Sequence, residues 1–211
     1  MFNKHGNHNL MSKASNAINR EWNIESSEVV YNGFYNIEKT IFTHSLFNGG
    51  NSGLVDREQF VRGNVVGVLA HDPVLDKLAL VEQFRLGARN RVDHPWLIEV
   101  IAGMIEPAES AQEVAVREAY EEAGITLTNV KEVMRYLASP GSTTEEVFIF
   151  YGEADLSQAS GVFGLDEESE DILLHVVESD EAIKMLEDGT ICNAISIIAL
   201  QWFRHFRAQS N

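Results

Sequence analysis

The chain has 211 residues, 45% of them hydrophobic and 23% charged, with 32 acidic against 16 basic residues and a net charge of -16. That length allows one sizeable core with a small appended unit, and the acidic balance excludes a general nucleic-acid or anionic-membrane binder, since both need a basic surface. No apolar run approaches the ~20 residues of a spanning helix; the single cysteine, Cys192, excludes an internal disulfide framework and any multi-cysteine metal site, and fits a reducing, cytoplasmic setting.

Residues 1–22 lack the apolar core of a signal peptide and read as a polar, poorly ordered tail. Residues 23–58 read as a small β-rich segment: EVVYNGFYNIEKTIFTHSLF mixes β-branched and aromatic residues with polar ones, and Asn32-Gly33 and 48–53 are turn signals. Residues 59–211 form the main domain. Within it the apolar runs 65–70 and 78–84, joined by the turn-prone HDPVLD, predict a hairpin. A strand over 96–101 ends at Ala102-Gly103.

A helix follows. Ser110 and Glu113 match a capping box, in which each side chain satisfies the other's orphan amide. Ala111, Val114, Ala115, Ala119 and Ala123 supply a small-residue inner face, and Gly124 stands where a left-handed cap is wanted. Strands are expected over 130–137, 147–152 and 172–177. Two helices close the chain, the second with a stripe of Ile195, Ile198, Ala199, Trp202 and Phe206. The succession predicts an α/β (α+β) fold, a mixed sheet covered by helices on its faces.

The charge placement of REAYEEAG, 117–124, asks for an explanation. Glu118 and Glu122 are four apart and share a helix face, with Glu121 at its border. Like charges at this spacing repel. Clustered oxygen ligands suit a hard divalent cation such as Mg²⁺, and a loop before the helix can add a backbone carbonyl. A solvated acidic face is the alternative reading. Arg117 is four residues from both Glu113 and Glu121 and can pair with either.

Gly103, Glu109, Arg117, Glu118, Ala119, Glu121, Glu122, Gly124 and Ile125 meet every fixed position of G-x5-E-x7-R-E-U-x-E-E-x-G-U, with U apolar. The chain therefore resembles the Nudix hydrolases. The segments LVEQFR, PWLIEVIAGMIE, LASPG, SGVFGLDEESEDI and NAISIIALQW resemble the ADP-ribose pyrophosphatase subgroup, as does Pro140 in its place after the box.

The resemblance implies a Nudix-type α/β/α sandwich plus the small N-terminal β-rich domain. It implies hydrolysis of the ADP-ribose pyrophosphate to AMP and ribose 5-phosphate with two or three Mg²⁺ ions, Mn²⁺ being the alternative metal. Glu118, Glu122, Glu170 and the Ala102 carbonyl would be metal ligands, with Glu121 a secondary one, and Arg117 would orient the glutamates. In the acidic loop GLDEESED, Glu168 would take the proton of the attacking water. Glu167 is a competitor for that role, and a solvated loop is the plain reading of the stretch.

For substrate the resemblance assigns Arg57, Arg62 and Arg85 to phosphate, although for any one arginine a surface charge or a salt bridge is the plainer reading. It assigns Phe34 and Tyr35 to adenine, where local packing is the alternative. Met104, Ser139, Gly141 and Glu145 complete the set. The stretch GARNRVDH departs from the pattern. The resemblance also implies a homodimer with a swapped N-terminal segment, and a small nucleoside diphosphate sugar as the only partner. The rival functions are hydrolysis of another nucleoside diphosphate sugar, and non-catalytic binding of ADP-ribose by a regulator.

Overall fold

The computed structural model describes residues 20–90, 94–165 and 169–210. The tail expected over 1–22 lies outside them up to residue 19. The chain divides into two compact units, one of residues up to Arg62 together with Gly141–Thr143, the other of Gly63–Pro140 and Thr144 onward. The division falls at the end of a strand, beyond the boundary read from the sequence.

The first unit is a three-stranded antiparallel sheet, β1 (Trp22–Asn32), β2 (Asn36–His44) and β3 (Val55–Val61), in that order. The β1–β2 turn falls at the predicted Asn32-Gly33, and two register shifts interrupt the ladder. β3 was not expected. DREQ gives it little apolar alternation, and its pairing with β2 from Val55 to Val61 makes it a strand. The Phe60 amide also donates to the Ser142 carbonyl at 2.8 Å.

The second unit carries the core. Its mixed sheet contains β4 (Val65–Asp72), β5 (Lys77–Phe84), β6 (Trp96–Glu99), β7 (Ile101–Met104), β8 (Thr128–Leu137), β9 (Glu146–Glu153), β10 (Val162–Phe163) and β11 (Ile172–Glu178). The order is β10-β11-β5-β4-β9-β8. β4 and β9 are parallel and every other pair is antiparallel. β4 is buried along its whole length, as a strand covered on both faces must be. Val66, Val68 and Ala70 point to one side, against Val114, Ala115, Ala119 and Ala123 of helix α1 (Ala111–Ala123). Val65 and Leu69 point to the other, towards α2 (Ser179–Glu187) and α3 (Ala194–Ser210), where Ala182, Ala199, Leu200 and Phe203 are buried. This is an α/β/α sandwich.

Two details position the site. β4 and β5 pair only beside their turn, at 70–72 and 77–79. Beyond that they part, and the segment 96–104 enters the gap. Its β6 half bonds to β5, and its β7 half bonds to β4. The single strand expected over 96–101 is therefore two short ones. Val100 lies between the ladders, and its amide donates instead to Ser196 Oγ at 2.9 Å. That bond explains why the polar Ser196 is fully buried on α3, where Ser196, Leu200 and Phe203 join Ala199 at the centre of the inner face; Ile195, Trp202 and Phe206 of the expected stripe pack at its border, and Ile198 does not join it.

Candidate active site

α1 is fixed at both ends by its own sequence. Ser110 Oγ accepts from the Glu113 amide while the Glu113 carboxylate accepts from the Ser110 amide at 2.8 Å. Gly124 takes φ 64°, and its amide reaches back to the Tyr120 carbonyl at 2.9 Å. So anchored, the helix turns Glu118 and Glu122 inward, at 9% and 3% exposure.

β7 faces them. A methyl group at Gly103 would overlap the carboxylate of Glu118, so only glycine lets that side chain lie against the strand. The Ala102 amide donates to Glu122 Oε2 at 3.0 Å. Arg117 is the hub. Its Nε and Nη2 fork onto the two oxygens of Glu109 at 2.9 and 3.1 Å. Its Nη1 reaches Glu118 at 2.9 Å and Glu121 at 2.7 Å, and Nη2 also meets the Met104 carbonyl at 3.4 Å. Of the two partners expected for Arg117, Glu121 is present. Glu113 is engaged in the cap, and Glu109, eight residues upstream, replaces it. Sequence reasoning gave Glu109 no role. Its fixed place in the box was the one available signal.

The electrostatics follow from this geometry. Burial pushes the Glu118 carboxyl up to about 7, with Glu121 and Glu170 adding to the effect and Arg117 opposing it. Burial pushes Glu122 up to about 8, reinforced by Glu118 and Glu170 and opposed by the Ala102 amide and Arg85. Both groups are short of positive charge. An all-oxygen, anionic donor set of this kind fits a hard divalent cation. Among the described residues no three Asp, Glu, His or Cys side chains converge tightly enough to hold an ion. Arg117 draws Glu118 and Glu121 to itself, and Ala102 takes one oxygen of Glu122.

The acidic loop approaches from β10. The Gly164 amide donates to the Glu121 carbonyl at 3.3 Å, and the Leu165 amide to Glu170 Oε2 at 3.3 Å. Glu170 is thereby within electrostatic reach of both inward glutamates. Glu167 and Glu168 lie outside the described residues, as does Arg91 of the departing stretch. Arg85 extends β5 and donates through Nε to Glu99 Oε2 at 2.7 Å, a partner the sequence did not suggest. Ser139 is exposed and Glu145 half-buried at the two ends of the loop between β8 and β9.

The remaining expected substrate residues belong to the first unit. Phe34 and Tyr35 meet edge to face at 4.7 Å, Tyr35 and Phe60 likewise at 4.8 Å, and the Arg62 guanidinium lies 5.4 Å from the Tyr35 ring centre. Phe34 is 89% exposed, so core packing does not account for it. Arg57 is not part of this cluster. The strand period sends it to the face opposite Phe60, and its Nη1 donates to the Asp56 carbonyl at 2.6 Å. Gly141 is exposed in the loop that joins this unit.

The chain is similar to known proteins. An ADP-ribose pyrophosphatase of Escherichia coli K12 is 47% identical over 189 residues, covering 89% of this chain and 90% of the relative. One from Haemophilus influenzae Rd is 41% identical over 202 residues, covering 94% and 93%. A GDP-mannose pyrophosphatase of Enterobacter sp. 638 is 32% identical over 151 residues, covering 70% and 77%. The crystal structure of an ADP compounds hydrolase superposes with a TM-score of 0.71 at 19% identity, covering 93% of this chain and 99% of that one, a likeness of fold. The NUDIX domain model matches residues 61–194, which span β4 through the start of α3 and the whole glutamate-lined site. The chain belongs to the Nudix family.

Proposed function

We infer that the chain hydrolyses ADP-ribose at its pyrophosphate, giving AMP and ribose 5-phosphate. The observation that carries the substrate is the 47% identity to an ADP-ribose pyrophosphatase across 89% of the chain, the N-terminal sheet included, against 32% across 70% for a GDP-mannose enzyme. The buried glutamates of α1 support catalysis over mere binding, since none of the box carboxylates is missing.

Glu118, Glu122, Glu170 and the Ala102 carbonyl would hold Mg²⁺ or Mn²⁺, two or three ions per site, with Glu121 at the margin. When bound, the metal supplies charge neutralisation at the pyrophosphate oxygens and a lowered pKa for water. Arg117 keeps Glu109, Glu118 and Glu121 in place. Arg85, Arg62 and Arg57 hold phosphate charge, and Phe34 and Tyr35 take the adenine by stacking. Met104, Ser139, Gly141 and Glu145 shape the rest of the substrate site. Glu168 accepts the proton of the attacking water.

The assembly is a homodimer. β1 is exposed at all eleven residues, Trp22 (72%) and Tyr31 (62%) among them, and such an edge calls for cover. No described helix is long and apolar enough to cross a membrane, and the lone Cys192 supports a reducing, cytoplasmic compartment.

The test is a substrate panel with Mg²⁺ and a coupled phosphatase, which releases phosphate from AMP and ribose 5-phosphate but not from ADP-ribose. ADP-ribose should give the highest kcat/KM. A higher value for GDP-mannose, or binding of ADP-ribose without turnover, overturns the reading.

A further inference from the structure

Glu99 has no part in the chemistry above, yet it is a carboxylate buried in the sheet at 7% exposure. It ends β6 opposite Val81, so its side chain is on the α1 face. Its backbone is held on both sides, by the ladder to β5 and by the Ser196 hydroxyl on the Val100 amide. Arg85 continues β5 in an extended conformation (φ -123°, ψ 104°), with its amide on the Pro95 carbonyl at 2.8 Å. The strand period puts Arg85, Gln83 and Val81 on that same face.

The Arg85–Glu99 pair is asymmetric. It is made through Nε at 2.7 Å, which leaves the terminal Nη edge of the guanidinium outside the bond. The Glu99 end is 10% exposed and the Arg85 end 42%. Arg85 shares with Val81 the sheet face that α1 covers, and its charge opposes the rise of the Glu122 carboxyl. Gln83, on the same face and 7% exposed, carries a buried Nε2 with no protein partner among the described residues. A buried amide donor left unmet is unfavourable. It is a second sign that an acceptor belongs on this ground.

We propose that Glu99 is a positioning residue for substrate: it fixes Arg85 through Nε so that the Nη edge is presented to a phosphoryl oxygen beside the α1 glutamates. A free arginine at a strand end would have to freeze its side chain on binding, and the anchor removes that entropy cost beforehand. The proposal rests on the reading of Arg85 as a substrate residue.

A double-mutant cycle tests it, using Glu99→Gln, Arg85→Gln and the double variant of the full chain. Binding of the non-hydrolysable α,β-methylene analogue of ADP-ribose is measured by calorimetry with Mg²⁺, beside steady-state kinetics. Glu99→Gln should weaken the analogue and raise KM by about fivefold or more, with kcat nearly unchanged; in the Arg85→Gln background it should change neither by more than about twofold. An equal penalty in both backgrounds, or a loss confined to the unfolding midpoint, overturns the proposal. If the wild-type chain neither binds nor cleaves ADP-ribose, the functional reading fails by itself. The same cycle read with inorganic pyrophosphate then decides on Glu99.

Discussion

Glu122→Gln should stabilise the metal-free protein, increasingly as pH rises from 4.5 to about 8. The Glu122 carboxyl is 3% exposed and is pushed up to about 8, against 4.5 for an ordinary glutamate. Below 4.5 the group is protonated both folded and unfolded and contributes no difference. Between 4.5 and about 8 the unfolded chain releases the proton while the folded chain keeps it, so folding stability falls as pH rises. At about 1.4 kcal/mol per pH unit the full loss is on the order of 5 kcal/mol. Coupling to Glu118 divides that between two groups, so a few kcal/mol belongs to Glu122. Glutamine cannot ionise, and its carbonyl can still accept from the Ala102 amide. Urea unfolding in EDTA at pH 5 and pH 9 measures the difference. The variant should match wild type at pH 5 and exceed it by a few kcal/mol at pH 9, and it should gain less from added Mg²⁺. Equal stability of the two proteins at both pH values would falsify the electrostatic account of the site.

Gly103→Ala should fold, since the overlapping atoms are the mobile end of Glu118. It should lose on the order of 2 kcal/mol with the displaced Glu118–Arg117 bond, and weaken Mg²⁺ activation about tenfold or more, read from kcat against metal concentration. Arg117→Lys keeps the charge but not the fork onto Glu109. Its activity should fall at least tenfold while it stays folded by circular dichroism, and wild-type turnover would refute the hub. Ser196→Ala strands the buried Val100 amide and should cost about 1–3 kcal/mol in urea unfolding, with the metal requirement unchanged.

What could be read from the sequence was what local chemistry decides. Ser110, Glu113 and Gly124 mark both ends of α1 because caps are made within one turn. The β4–β5 turn was legible because its residues leave few alternatives. β3 was not, since VDREQFV becomes a strand only through its pairing with β2. The split of 96–104 into β6 and β7 was not, because it depends on β4 and β5 diverging and on a serine nearly a hundred residues on. In the site, residue types and spacing gave Glu118, Glu122 and Arg117. The partners that restrain them, Glu109 and the Ala102 amide, and the Glu99 anchor of Arg85, come from loop and strand packing that no periodicity encodes.

The way α1 is turned bears on the choice between a cation site and a solvated acidic face. A solvated face would put its glutamates in water and its apolar residues inside. Here Val114, Ala115, Ala119 and Ala123 are inside, but Glu118 and Glu122 are buried beside them while Val116 and Tyr120 face solvent at 40% and 67%. Burying an unpaired carboxylate costs several kcal/mol, and exposing a valine and part of a tyrosine returns none of it. Arg117 offsets part of that cost for Glu118, through a bond shared with Glu109 and Glu121. Glu122 has the Ala102 amide and the charge of Arg85, and its carboxyl still rises to about 8. A chain with a net charge of -16 has few cations to spare. The helix buries two carboxylates that hold their protons towards neutral pH, and under the proposed function a divalent ion would take the place of those protons.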